Sequence, residues 1–280
     1  LAKSIIEKYD FMEWFHIDGD DIKEVKIKPE TTAVIPRRGV VFTTQTQQIM
    51  RDLEAARYFC VNSLESIEVC ESKFLTSKVL EDDGLPVPRY ALVTSEKTLD
   101  SALEKIGGKF PVVMKLLSGT QGIGVSIVDS YTSLKSVYQT INKLNPDNEI
   151  LIQEKIDSDF DIRVQVIMKN FDPINGAEDN CIILGSMKRQ SSGEDFRTNY
   201  SLGGKVSEFK IDDQIKKLAC DAANAVGCHW CGVDIMIDSK TGKPYILEVN
   251  SSPGTEGISE AIGKPIVDDV IKYVADKKNW

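Results

Sequence analysis

Near the end of the chain, two short apolar runs each carry acid or amide groups on alternate positions, and this constrains the fold more than any other feature. In Ile246-Leu247-Glu248-Val249-Asn250-Ser251-Ser252-Pro253-Gly254, Glu248 and Asn250 alternate within an otherwise apolar stretch. On a strand their side chains therefore share one face. A carboxylate and an amide projecting together from a buried strand require a compensating partner. Asp234 closes the second run, Cys231-Gly232-Val233, and brings another oxygen toward the same place. The strands read as Gly232–Ile237 and Tyr245–Val249, joined by the hairpin connection Asp238-Ser239-Lys240-Thr241-Gly242. Three oxygen donors without His or Cys suit a hard cation, Mg²⁺ or Mn²⁺, and Mg²⁺ usually enters sites with substrate phosphates. Taken singly, each residue reads better as a solvated acid at a capped strand end, so the case rests on the rest of the chain.

A chain of 280 residues can bury a sizeable core in one large or two to three small domains. Its 41% hydrophobic and 28% charged residues are those of an ordinary soluble globular protein. No apolar run approaches the length of a bilayer span, and no signal-peptide succession opens the chain. Starting at Leu1 rather than Met, it reads as lacking its first natural residues. The net charge of −9 argues against broad nucleic-acid binding while leaving a local basic pocket open. Neither nucleic acid nor membrane is an expected partner. Six scattered cysteines, Cys60, Cys70, Cys181, Cys220, Cys228 and Cys231, point to reduced thiols in a cytoplasm. Cys228-His229-Trp230-Cys231 has the C-x-x-C spacing but no second pair, so packing is the expected role.

Periodicity organises the remainder. Residues 1–70 read as a small α/β unit, with a strand at Ala33–Pro36 and a helix over Gln45–Tyr58. A helix over Glu71–Glu81 ends at Asp82-Asp83-Gly84, followed by strands at Tyr90–Val93, Val112–Leu117 and Ile150–Glu154 and helices at Leu99–Ile106 and about Leu134–Leu144. Further strands are expected at Ile162–Met168, Cys181–Lys188 and Lys205–Phe209. Ile211–Val226 is the clearest amphipathic helix, with Gly227 as terminator. Pro265 opens a last helix. The expected class is α+β modules in series, divided as 1–70, 71–155 (central part about 90–155) and 156–280.

Other constellations carry charge where burial is expected. Lys115 lies in the apolar strand Pro111–Leu117, which is costly unless an anion meets it. Ser118, Gly119, Thr120, Gln121, Gly122, Ile123 and Gly124 follow as a flexible loop with free N–H groups and hydroxyls, suited to folding over phosphates. A plain hairpin turn accounts for this loop about equally well, and neither a P-loop nor a G-x-G-x-x-G occurs. The strand ending in Gln153, Glu154, Lys155 and Ile156 could read an adenine edge or could be an edge strand entering a turn. Arg189 and Arg197 suit carboxylate or phosphate recognition and a developing oxyanion, with a solvated surface pair as the alternative.

The order of these elements decides between the readings. Lys73, Lys115 with its glycine loop, Gln153-Glu154, Asp161-Ile162-Arg163, Arg189, Arg197-Thr198-Asn199, Asp234 and Glu248-Val249-Asn250 together resemble the ATP-grasp superfamily. Within it the chain is most similar to RimK-type α-L-glutamate ligases. The phrases that carry this are Gly119–Val125, Asp195–Asn199, Gly232-Val233-Asp234, Glu248–Gly254 and Glu256-Gly257-Ile258. The resemblance implies two α+β subdomains sandwiching ATP, preceded by a small α/β domain without the first strand of the family pattern. It implies that Lys73 and Lys115 meet ATP phosphates under the Gly119–Gly124 loop. Glu154 and Lys155 would sit at the adenine hinge within Gln153–Ile156, and Asp161 at the ribose. Arg197, Thr198 and Asn199 would line the nucleotide and acceptor side, and Arg163, Arg197, Ser252 and Gly254 would contact substrate. Asp234, Glu248 and Asn250 would hold two Mg²⁺ ions, with Mn²⁺ as substitute, and Arg189 would stabilise the reacting acyl group.

The implied reaction is an ATP-dependent ligation of a carboxylate to an amine through an acylphosphate. Its expected partners are glutamate or another amino acid and a peptide or protein carboxyl end, in a homo-oligomer by family analogy. An amino-acid or dipeptide ligase is the first rival, and a non-catalytic ATP-binding regulatory module the second. His16 and His229 fall in no motif and read as structural.

Overall fold

The computed structural model describes residues 13–18, 21–37, 44–117, 124–145, 149–169, 180–190 and 205–280. The chain divides into two units, Leu1–Leu64 with Ile271–Trp280, and Glu65–Val270. In the first, strands β1 (Glu13–Asp18) and β2 (Asp21–Lys26) form an antiparallel hairpin that sequence periodicity misses. Strand β3 (Ala33–Val34) then pairs in parallel with β4 (Phe59–Cys60) across helix α1 (Thr44–Ala55). Helix α1 ends on Arg57, whose φ of 64° is unusual for a residue with a Cβ. Trp280 stacks on Phe59 with ring centroids 6.1 Å apart.

The second unit holds two antiparallel sheets. The smaller contains β5 (Tyr90–Val93), β6 (Val112–Leu116), β7 (Val125–Val128) and β8 (Ile150–Glu154), ordered β5-β8-β6-β7. Helices α4 (Leu99–Lys105) and α5 (Tyr131–Leu144) cover one face, where Val112, Met114, Ile150 and Ile152 meet Leu99, Leu134 and Tyr138. Strand alternation sends Lys115 and Gln153 to the opposite face.

The larger sheet contains β9 (Asp161–Met168), β10 (Cys181–Gln190), β11 (Lys205–Glu208), β12 (Trp230–Ile237) and β13 (Pro244–Asn250), ordered β11-β10-β9-β12-β13. Helix α2 (Leu64–Glu71) precedes α3 (Lys73–Asp82), which packs on β13 although it lies far earlier in the chain. Helix α6 (Asp213–Ala225), capped by the Asp212 carboxylate at the Ile215 N–H (2.8 Å), covers the same face. Ile162, Val164, Val166, Val233, Ile235 and Val249 form the core beneath these helices. The alternate positions Asp161, Arg163, Gln165, Gly232 and Asp234 face the other way. Helix α7 (Glu256–Ile262), also absent from the sequence reading, crosses that second face at Gly185, where a Cβ would come 2.9 Å from Ile262. Helix α8 (Val267–Ala275) closes the chain. Among the described residues no helix is long and apolar enough to cross a membrane.

The expectation of six reduced thiols fails at one pair. Cys181 opens β10 and Cys220 lies on α6 directly above it, with Cα atoms 5.8 Å apart, and the two form a disulfide. A separation of 39 residues hides this contact from sequence. Cys60, Cys70, Cys228 and Cys231 are free, and Cys70 Sγ lies 3.5 Å from Cys228 Sγ beneath the same core. Reducing the bridge is expected to lower the unfolding free energy by about 3–4 kcal/mol, the loop-closure value for this span. Urea denaturation with and without dithiothreitol checks this, and C181A/C220A should lose the reductant dependence.

Candidate functional site

The side of the larger sheet opposite α3 and α6 gathers five of the charged residues singled out above, Asp161, Arg163, Arg189, Asp234 and Glu248. Antiparallel pairing sets Asp234 opposite Glu248, Gly232 opposite Asn250, and Arg163 opposite Asp234 on the other flank. Asp161 is paired with Arg189 across β9 and β10. Leu247 is the extra residue of a β-bulge between Ile246 and Glu248, opposite the Asp234–Ile235 step. That bulge lets Ile246 enter the core while Glu248, two positions on, faces the site.

These side chains form one network. Arg163 grips Asp234 through two parallel bonds of 2.6 Å and lies 3.6 Å from Glu248. Arg189 donates to both oxygens of Asp161, at 2.8 and 2.5 Å, and to Asp234 at 2.8 Å. Asn250 donates to Glu248 at 2.9 Å. Asp161, Arg189 and Asp234 are buried, each less than 5% exposed. Burial works to raise the Asp234 pKa, but Arg163 and Arg189 outweigh it and hold the carboxyl well below the usual carboxylate range. Burial likewise opposes the Arg189 charge, and Asp234 with Asp161 more than offsets it, so Arg189 is firmly cationic.

Lys115 approaches from the smaller sheet. Burial pushes it down to about 8, against the pull of Glu248 and with a push from Lys73, and Asp234 adds a weaker pull. Lys73, the first residue of α3 after the Ser72 cap, is thus in electrostatic reach of the same cluster. Among the described residues, Lys115, Arg163 and Arg189, with Lys73 in electrostatic reach of Lys115, set four cations against the three carboxylates of Asp161, Asp234 and Glu248. Such a surplus suits a polyanion.

Other sequence-predicted residues sit apart from this network. The Glu154 carboxylate accepts from the Arg89 N–H and side chain, at 2.8 Å for the backbone bond. Lys155 pairs with Asp157 at 2.8 Å, and Ile156 follows in half-buried coil. Gln153 is buried on the Lys115 face of the smaller sheet. Gly124, at φ 80°, opens β7 with Leu116 against it, so a Cβ there would clash at 2.9 Å. Ser252 and Gly254 lie in the loop after β13, and the Gly254 carbonyl accepts from Gln165. His229 faces the Met168 carbonyl at 3.1 Å, outside the cluster. Gly119, Thr120, Gln121, Gly122 and Ile123, and Arg197, Thr198 and Asn199, lie outside the described residues.

Glu248 and Asn250 offer oxygens on one face of β13 that fit a hard cation completing its shell with phosphate oxygens, and Asp234, both of whose oxygens are bonded to Arg163 and Arg189, would have to release one to join them. Among the described residues, no group of three His, Cys, Asp or Glu side chains converges on a metal position.

Comparison with known proteins fits this layout. The D-Ala:D-Ser ligase VanG of Enterococcus faecalis superposes with a TM-score of 0.69 at 18% identity, covering 98% of this chain and 79% of that one. The ATP-grasp ligase PsnB complexed with a minimal precursor gives a TM-score of 0.60 at 21% identity over 82% and 70%. The fold is therefore that of the ATP-grasp ligases. A family model described as the RimK-like ATP-grasp domain matches residues 70–274, and the chain belongs to that family. A probable alpha-L-glutamate ligase of Pseudoalteromonas atlantica is 34% identical over 251 residues, spanning 88% of this chain and 77% of the relative. The protein is an ATP-grasp ligase, an enzyme that forms C–N bonds, and its family uses ATP with Mg²⁺.

The buried ion network predicts an asymmetry in stability. D161A leaves the Arg189 guanidinium short of a buried partner and is expected to destabilise the fold by about 3 kcal/mol. Replacing both members with apolar residues, as D161L/R189M, should recover most of that loss in urea denaturation.

Proposed function

We propose that this enzyme joins the amino group of L-glutamate to the carboxyl end of a peptide or protein, using ATP and two Mg²⁺ ions. The observation that carries the reading is the cation-rich cluster around Lys115 and Arg189, set against the oxygen donors Asp234, Glu248 and Asn250. The name of the Pseudoalteromonas relative supports glutamate as the amine. The precursor bound to PsnB supports a peptide acceptor. A small-molecule acceptor is the alternative favoured by the likeness to VanG. Because the reaction consumes ATP, we place it in the cytoplasm.

In this reading the acceptor carboxylate attacks the γ-phosphorus of ATP and ADP leaves, and the neutral glutamate amine then displaces phosphate from the resulting acylphosphate, losing a proton as the amide forms. Asp234, Glu248 and Asn250 would hold Mg²⁺, with Mn²⁺ as substitute, and the metal would neutralise charge on the phosphoryl group in transfer. Lys73 and Lys115 would bind the phosphates beneath the Gly119–Gly124 loop. The backbone of Gln153–Ile156 would read the adenine edge, because the Glu154 carboxylate is committed to Arg89. Arg189 would stabilise the developing oxyanion from a fixed position. Asp161 gives both oxygens to Arg189, so we reassign it from the ribose to the positioning of that guanidinium. Arg163 is likewise reassigned from substrate contact to holding Asp234. Arg197, Thr198 and Asn199 remain candidates for the acceptor side.

Incubation with MgATP, glutamate and candidate peptides, read by mass spectrometry, should give products spaced by one glutamate residue. A single small dipeptide instead would defeat the peptide reading. Glu248→Gln should abolish ATP turnover while leaving the thermal transition in place, and full activity in that variant would refute the metal assignment.

Lys115 adds a pH signature. Its charged form binds phosphate, and bound phosphate raises its pKa from about 8. Nucleotide affinity should therefore be flat below that pH and weaken by up to about tenfold per pH unit above it. K115R should stay flat across the same range in nucleotide titrations, since arginine does not deprotonate there.

A further inference from the structure

Gln165 is fully buried on the site side of β9, two positions after Arg163. A buried primary amide is costly unless its groups are bonded, and an apolar residue would fill the same space without that demand. Here both ends are used. Nε2 donates to the Gly254 carbonyl at 2.7 Å, and Oε1 accepts from the Trp230 indole N–H at 3.2 Å. Indole nitrogen can only donate, so Trp230 dictates that the amide oxygen faces it and that the NH₂ group faces the loop.

The same loop is seated on the sheet by a second contact. Gly232 lies opposite Gln165 in the β9–β12 register, and a Cβ there would come 3.0 Å from the ring of Pro253. Residues Ser251–Gly254 thus leave β13 immediately after Asn250 and lie flat on the floor that Gln165 and Gly232 provide. Ser251 and Pro253 are buried, whereas Gly254 is exposed with open space on its outer side. The loop is held from behind and open in front.

We infer that Gln165 is a positioning residue for the Ser251–Gly254 loop, and that through this loop it sets the affinity for the amino-acid co-substrate. Trp230 acts behind it by fixing the amide orientation. This rests on the proposed ligase reading and on Ser252 and Gly254 as substrate contacts, which the resemblance to RimK-type ligases implies and which are assigned here to the amino acid. The phosphate-binding lysines sit on other elements, β6 and the start of α3, and Glu248 and Asn250 are held within β13 by its pairing with β12, so loosening the loop beyond Asn250 is expected to change ATP binding far less than amino-acid binding.

Steady-state kinetics and hydrogen exchange on the intact enzyme test this. Q165L should raise KM for the amino acid by about tenfold, the loss of one buried hydrogen bond, with KM for ATP within about twofold. Amide exchange across Ser251–Thr255 should accelerate in Q165L. W230F, which keeps the bond to Gly254 but frees the amide to turn, should move both readouts the same way by less, and Q165L/W230F should be no worse than Q165L alone. Unchanged loop exchange in Q165L would overturn the inference. So would faster exchange with both KM values rising together, or with only kcat falling, since a general structural role gives that pattern. If the wild-type enzyme transfers no glutamate, the functional reading fails on its own. The split between the two KM values is then measured with whichever amino acid is used, and loop exchange still decides the role of Gln165.

Discussion

A buried carboxylate shared by two guanidinium groups is the interaction on which this site depends. Asp234 accepts from Arg163 on one side and Arg189 on the other, and Arg189 in turn is gripped by Asp161. Each charge would be prohibitive alone at this depth, and the group is tolerable only because every member is paired. The network ties together the central strands β9, β10 and β12 at the proposed site. In the proposed reading, positioning of the site and structural integrity are carried by the same bonds.

The sheet that supports this network has two incompatible faces. Ile162, Val164, Val233 and Ile235 need apolar cover, which α6 and α3 supply. Arg163 and Asp234, one residue away on the same strands, need charge partners and find them in each other. The bulge at Leu247 extends this division to β13, where simple alternation would put Ile246 and Glu248 on one side. The smaller sheet repeats the scheme with Met114 inward and Lys115 outward. An ATP-grasp ligase needs two such sheets with polar faces available to one nucleotide, and both polar faces are present.

Much of this was legible in the sequence because strand periodicity and charge position are local signals. The β12–β13 pair, Lys115 in an apolar strand and the helix before Gly227 all lie where periodicity puts them. Partnerships were not legible, since they depend on register between distant strands. The resemblance alone put Asp161 at the ribose, and nothing near it in the chain announces its partner Arg189, 28 residues later. The resemblance put Glu154 at the adenine hinge, and nothing near it in the chain announces Arg89, 65 residues earlier, which takes its carboxylate. The Cys181–Cys220 bridge and the Gln165–Trp230 pair escaped for the same reason. Gln165 had one local signal, a primary amide inside an eight-residue strand that is otherwise apolar after Arg163, and that anomaly marks a position with a partner.

The alternation of faces on β12 also bears on how the chain avoids error. A slip of one residue against β9 would turn Asp234 under α6 and offer Val233 to the solvent side. That arrangement buries an unpaired carboxylate and strands two arginines, so it has no competing minimum of comparable depth. The charged site is in this sense a proofreading device for assembly. A chain whose sheet closes in the wrong frame is disfavoured as a folded population, because the residues of the proposed site are also the ones that refuse to pack.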